Sequence, residues 1–172
     1  MPDRILVCGL NGAGKSTLGR QLAEKLSIPF MDAEDYYFPA SDSDYTYAAA
    51  RTQQEAASLL LSDTKAHSSF VFASVKGNFS EEFSSLLTCA VFIHVPKEIR
   101  MLRVRERSYR KFGCRMLEGG DLYEQENAFF TQIEQRSEAA VSAYLSSLSI
   151  PVIHIDGTRP IEENILLILQ ML

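Results

Sequence analysis

The chain has 172 residues, 46% hydrophobic and 23% charged, with a formal net charge of −5, enough for one α/β domain with a sizeable core. Its acidity removes any general electrostatic pull toward nucleic acid, and no apolar run is long enough to span a bilayer. The N-terminus enters the first strand directly, so no cleavable signal is expected.

Taken in order, the chain alternates strand and helix. Ile5-Leu6-Val7-Cys8 is an apolar run of the kind a parallel sheet buries, predicting a strand over 4–8. Leu18, Leu22 and Leu26, with Ala23 beside them, share one face and predict a helix over 15–26. Ser27-Ile28-Pro29 breaks it. A short second strand ends in Phe30-Met31 and runs into Asp32-Ala33-Glu34-Asp35. Residues 36–47, rich in Tyr and Asp, predict an irregular aromatic lip. A helix over 48–62 would open at Arg51 and turn Ala56, Leu59 and Leu60 inward. The third strand is Phe70 to Ser74, followed by Val75-Lys76-Gly77-Asn78, and Ser80 is placed to cap a short helix over 81–87. Ala90 to Val95 is the fourth strand, closed by Pro96. A basic helix runs from 97 to about 111, with arginines at 100, 103, 105, 107 and 110. Glycines at 113, 119 and 120 mark 112–121 as a hinge or loop, and 122–148 is a long helical stretch, continuous or broken. Pro151 to Ile155 is the fifth strand. After Asp156-Gly157-Thr158-Arg159-Pro160, a last helix would face the core with Ile161, Ile165, Leu166, Ile168 and Leu169. No repeat or linker interrupts this order. The expected fold class is α/β: a single doubly wound domain over 1–172, with a five-stranded parallel sheet and helices on both faces.

Gly9-Leu10-Asn11-Gly12-Ala13-Gly14-Lys15-Ser16 fits G-x-x-x-x-G-K-[ST], the Walker A phosphate loop, and stands between strand and helix as that motif requires. Backbone N–H groups from Gly9, Asn11, Gly12, Ala13 and Gly14 can form an anion-binding nest. Ser16 and Thr17 open the helix, whose N-terminus adds unpaired donors and a positive dipole end. Lys15 would reach the β- and γ-phosphates, and the Ser16 hydroxyl would ligate Mg²⁺. GTPases also carry N-K-x-D, which is absent. Motor and AAA-type ATPases carry a strand ending in an acid that holds the metal. Here the third strand ends Ala73-Ser74-Val75-Lys76 and the fourth His94-Val95-Pro96, so Asp32 is the remaining candidate to hold a metal-bound water. Ligands of open parallel sheets lie beyond the strands' C-terminal ends, which places Asp32, Glu34 and Asp35 for function. Arg103, Arg107 and Arg110 fall at i, i+4 and i+7 on one helix face. With the nearby glycine hinges they suit a lid that brings charge to a transferred phosphoryl group.

On these residues the chain resembles the small P-loop kinases: shikimate, gluconate and adenylate kinases and their relatives. Asp32-Ala33-Glu34 stands where shikimate and gluconate kinases carry D-x-D, with Glu for the second Asp. Ala73-Ser74-Val75-Lys76, with Phe79 beyond, is similar to the S-A-L-K segment of gluconate kinases. Val95, Pro96, Arg103 and Arg107 match a V-P and arginine spacing of adenylate kinases, and Asp156-Gly157-Thr158 is similar to the loop that borders adenine. The Gly-Gly-Gly of shikimate kinases is absent. The resemblance implies ATP- and Mg²⁺-dependent phosphoryl transfer to a small acceptor of the nucleoside, nucleotide or polyol and sugar-acid class. It implies Asp32 at the metal, Glu34 or Asp35 orienting the acceptor hydroxyl, Arg103 and Gly157 beside the base, and Arg107 at the phosphates. Arg51, Lys76 and Arg110 are candidates for the acceptor. The acceptor region would be about 32–62 and the lid about 97–130.

Other readings of the same residues stay open. Asp32 also suits a helix cap, Glu34 and Asp35 a solvated loop, and the arginines a solvated face paired with Glu98 and Glu106. His94 suits a satisfied core position better than a catalytic one. Two further functions remain: an ATP-binding regulator or assembly factor with slow hydrolysis, and a polynucleotide 5′-kinase. Cys8 and Cys89 read as core residues and Cys114 as an exposed thiol, in no metal spacing, which suits a reducing cytoplasm. The chain would act as a monomer or homodimer.

Overall fold

Five parallel strands form the sheet: β1 (Arg4–Cys8), β2 (Phe30–Asp32), β3 (Phe70–Ser74), β4 (Cys89–His94) and β5 (Val152–Asp156). In the computed structural model, which describes residues 2–38 and 50–172, their order is β2-β3-β1-β4-β5. β1 is central, with Ile5 in register with Val71 on one side and Cys89 on the other. From β1 the chain passes to the edge strand β2, returns inward to β3 beside β1, and then crosses to β4 and β5 on the other side, so the topological switch lies at the C-terminal end of β1.

The helices are α1 (Lys15–Leu26), α2 (Ala33–Tyr37), α3 (Gln53–Lys65), α4 (Glu81–Leu86), α5 (Lys97–Phe112), α6 (Tyr123–Glu134), α7 (Ala139–Ser147) and α8 (Ile161–Met171). Side chains alternate across a strand, so each buried strand feeds two apolar layers. Leu6, Phe70, Phe72 and Phe92 meet α3, α4 and α7 through Leu60, Phe83 and Leu145. Ile5, Val7, Val71 and Val91 meet α1 and α8 through Leu22, Ile165 and Ile168. Phe83 sits edge-on to Phe72, with ring centroids 5.0 Å apart. A smaller cluster of Met101, Val104, Phe130 and Ile133 joins α5 to α6.

Several expectations shift. α3 begins at Gln53 rather than near 48, because Thr52 and Glu55 close a capping box. Leu59 is exposed and Ala57 takes the inward place. In α8, Ile165 and Ile168 are buried, but Leu166 is 62% exposed and Leu169 also faces outward. At 100° per residue, Leu166 is turned away from its buried neighbour. The 122–148 stretch is two helices. The 112–121 hinge is a hydrogen-bonded turn: Gly113–Met116 form a 3-10 helix, Leu122 N–H donates to Arg115 O at 2.9 Å, and Arg115 Nη2 lies 2.6 Å from Asp121 Oδ2. Tyr36 and Tyr37 belong to α2, while the rest of the expected lip, from Pro39 to Tyr47, lies outside the described residues. No helix among the described residues is long and apolar enough to cross a membrane.

Candidate functional site

β1 delivers the chain into the phosphate loop at the switch point. Gly14 takes φ 95° as N-cap of α1, and Gly12 takes φ 82°. Both conformations are closed to ordinary side chains. A Cβ on Gly12 would also run into the Arg100 carbonyl of α5. That close approach is tied by arginines. The buried Arg100 donates through Nε to Val95 O at 3.1 Å and through Nη1 to Asn11 O at 3.2 Å. Arg103 donates to Gly12 O at 3.4 Å and Gly157 O at 3.1 Å. The N-terminal half of α5 is therefore fastened to the phosphate loop.

Lys15 is half-buried, its Nζ donating to Leu10 O at 3.3 Å. Burial lowers its pKa to about 8, against partial support from Glu34 and Asp32 and with added repulsion from Arg107. It lines a cleft of about 280 Å³ together with Ser16, Asp32, Glu34, Arg107 and Arg110. Asp32 is the cap of α2, its Oδ1 accepting from Glu34 N–H at 3.1 Å, and it also lines this cleft. Ser16 and Asp32 thus offer hydroxyl and carboxylate oxygens, the donor set Mg²⁺ prefers, beside the phosphate nest.

Two further cavities adjoin. One, of about 360 Å³, is lined by Ala13, Gly14, Thr17, Gly157, Arg159 and Asn164, with Arg103 on the border shared with the first cleft. The other, of about 510 Å³, lies on the α2 side and is lined by Glu34, Tyr37, Lys76, Phe79, Phe129 and Arg136. Glu34 opens into both this cavity and the phosphate cleft.

Not every candidate converges here. Asp35 is exposed and lines none of these three cavities. Arg51 precedes α3 and turns to the backbone, donating through Nη1 to Tyr36 O at 2.9 Å and Asp35 O at 3.4 Å. It fastens α2 to α3 and does not reach the cavities. His94 is satisfied but partly exposed: Nδ1 lies 2.9 Å from Glu138 Oε2 and Nε2 lies 2.8 Å from His154 Nδ1. Gly9, by its N–H, bonds to Val75 O at 3.2 Å. Sequence reasoning missed Arg136, whose Nη1 donates to Asn11 Oδ1 at 2.8 Å from 125 residues away. No local pattern marks an arginine at the end of α6 as a partner of the phosphate loop. It also missed Asn164, which interrupts the apolar face of α8.

Residues 5–128 match the model of a family described as AAA domain. A Bacillus subtilis (strain 168) protein described as uncharacterized protein YqaC is 27% identical over 173 residues, covering 96% of this chain and 94% of its own. Among solved structures, a gluconokinase from Sinorhizobium meliloti 1021 aligns with a TM-score of 0.61 at 14% identity, over 95% of this chain and 87% of that one. A shikimate kinase from Acinetobacter baumannii, in complex with shikimate, aligns with a TM-score of 0.57 at 16% identity, over 99% of this chain and 93% of that one. The fold is that of the small P-loop kinases. The family description differs from the sequence expectation that set AAA-type ATPases aside. The residues behind that expectation are as read: β3 ends in Ser74 and β4 in His94, with no carboxylate at either end.

Proposed function

The chain belongs to the AAA domain family, and from that premise we propose that it is an ATP- and Mg²⁺-dependent kinase that moves a γ-phosphoryl group to a hydroxyl of a small-molecule acceptor. The observation that carries this is one cleft lined by Lys15, Asp32, Glu34, Arg107 and Arg110, set between a base-sized cavity and an acceptor-sized one. Phosphoryl transfer requires positioning and charge stabilisation more than covalent chemistry, and these residues supply both. The loop N–H groups and Lys15 hold the phosphates. Ser16 and Asp32 would hold Mg²⁺, which neutralises phosphate charge when bound. Glu34 accepts a hydrogen bond from the acceptor hydroxyl and aims it at the phosphorus. Arg107 and Arg110 set positive charge where the transferred group's charge spreads. Asp35 has no part in this assignment.

Lys76 and Arg136 set two cations against the one carboxylate of Glu34 in the lining of the acceptor cavity, which favours an acceptor carrying a carboxylate or phosphate, such as a sugar acid or a nucleotide, over a neutral nucleoside. An ATP-binding regulator needs no acceptor space, so the open cavity of about 510 Å³ beside Glu34 supports the kinase. The three free cysteines are compatible with a reducing cytoplasm. The test is Mg²⁺-ATP turnover alone and with pools of sugar acids, other hydroxy acids, nucleosides and nucleoside monophosphates. Large stimulation by an anionic pool is expected. ATP binding with no stimulation by any pool would sink the kinase and favour the regulator.

A further inference from the structure

The base-side cavity contains a buried polar side chain that phosphate binding does not use. Asn164 stands in the first turn of α8, among Ile161, Ile165 and Ile168, where the helix otherwise presents apolar residues to the sheet. It is 3% exposed and lines the cavity of about 360 Å³ with Ile93, Ile155, Gly157 and Ile161. Its Nδ2 donates to Asp156 O at 2.8 Å. A backbone carbonyl only accepts, so this bond fixes which way the amide points. One N–H of the amide is committed to Asp156, which turns Oδ1 away from that carbonyl and leaves it as the acceptor Asn164 can offer to the cavity it lines. Arg103 and Arg159, which also line the cavity, can only donate. Thr17 lies in the first turn of α1, beside the phosphate loop. Asn164 Oδ1 is thus an acceptor on the α8 side of the cavity, beside the apolar side chains of Ile93, Ile155 and Ile161. The wall that holds it is rigid, because Gly157 packs so tightly that a Cβ there would lie 2.5 Å from the Ile93 and Val95 side chains.

We propose that Asn164 reads the nucleotide base, its Oδ1 accepting a hydrogen bond from an exocyclic amine such as the one adenine carries at C6. This rests on the nucleotide-dependent function proposed above and sets its base preference. A base with a carbonyl at that position, as in guanine or hypoxanthine, would bring two acceptors together in a buried place. Such an unmet pair discriminates more sharply than shape does.

The test is equilibrium binding of ATP, GTP and purine riboside triphosphate, which lacks the C6 amine, with inorganic tripolyphosphate as a base-free control. The unmodified protein should bind ATP about tenfold or more tighter than either analogue, the scale of one buried hydrogen bond. In Asn164→Leu, ATP affinity should fall to that of purine riboside triphosphate, whose own affinity should stay unchanged. Equal binding of ATP and purine riboside triphosphate by the unmodified protein would overturn the assignment, and this comparison needs no variant to fold. An unchanged ATP preference in a folded Asn164→Leu protein would overturn it too. Failure of every triphosphate, tripolyphosphate included, would instead overturn the nucleotide function itself, and the role of Asn164 with it.

Discussion

Lys15 shows how a single residue couples burial to chemistry. In the free protein its ammonium titrates near pH 8 rather than at 10.5, chiefly because burial strips its water. Between those two pH values the unfolded chain keeps the proton and the folded chain releases it. The free protein therefore gains stability as pH rises through that window. A phosphate chain reverses the preference, since it binds the ammonium. Nucleotide affinity should be full below about pH 8 and fall above it. Calorimetric titration at about pH 9 in buffers of different ionisation enthalpy should show proton uptake on binding. Lys15→Met should lower kcat by about 10²–10³, the effect of one principal charge contact, without lowering Tm at neutral pH. Glu34 and Asp35 are adjacent in sequence yet differ in surroundings, so their isosteres should separate. Glu34→Gln should reduce kcat by about 10² or more, as loss of an acid–base group does, while Asp35→Asn stays near the unmodified rate in the same steady-state assay.

At the scale of elements, α5 joins the phosphate loop to the glycine-rich turn at 113–121. Arg100 satisfies Val95 O and Asn11 O from inside the protein, and Arg103 bonds to Gly12 O and Gly157 O. Arg100→Ala leaves two carbonyls without their charged donor and opens a space under the loop. It should cost about 2–3 kcal/mol of unfolding free energy by urea denaturation and weaken nucleotide binding. Two contacts lie within the segment expected as a lid. Arg100 and Arg103 of α5 bond to the phosphate-loop backbone, and the glycine-rich turn after α5 is closed by Arg115 and Asp121. Arginines at i, i+4 and i+7 were readable as one helix face, and Arg107 and Arg110 do share a cleft with Lys15. That Arg100 and Arg103 also bond to the backbone of the phosphate loop was not readable, because those partners, Asn11 and Gly12, lie 89 and 91 residues away in sequence.

Across the whole molecule, stability resides in two apolar layers, and the site occupies the rim where the strand order switches. Core and site should therefore respond separately. Phe83 of α4 packs against Phe70, Phe72 and Phe79. Phe83→Ala should cost about 3–5 kcal/mol by urea denaturation, the usual effect of removing a buried ring. Its Kd for ATP should stay within a few-fold, because the phosphate loop lies at the switch point on β1. The apolar strand runs and the strand–loop–helix phosphate motif made this architecture legible, since period and turn chemistry are local properties. Leu59, Leu166 and Leu169 were read inward and lie outward, because composition alone does not fix which arc of an apolar helix meets the sheet.

The sequence by itself determined the alternating α/β order, the phosphate loop and the acids after β2. Each is encoded within a dozen neighbouring residues, where backbone geometry and side-chain spacing act directly. Only the tertiary structure decided which residues share a cavity. It put Glu34 rather than Asp35 where the Lys15 cleft meets the α2-side cavity, sent Arg51 to the backbone of α2, and brought Arg136 to Asn11 and Asn164 to the cavity beside Gly157. Those pairings join residues far apart along the chain, and they exist because the sheet's crossovers bring separate strand ends to one rim.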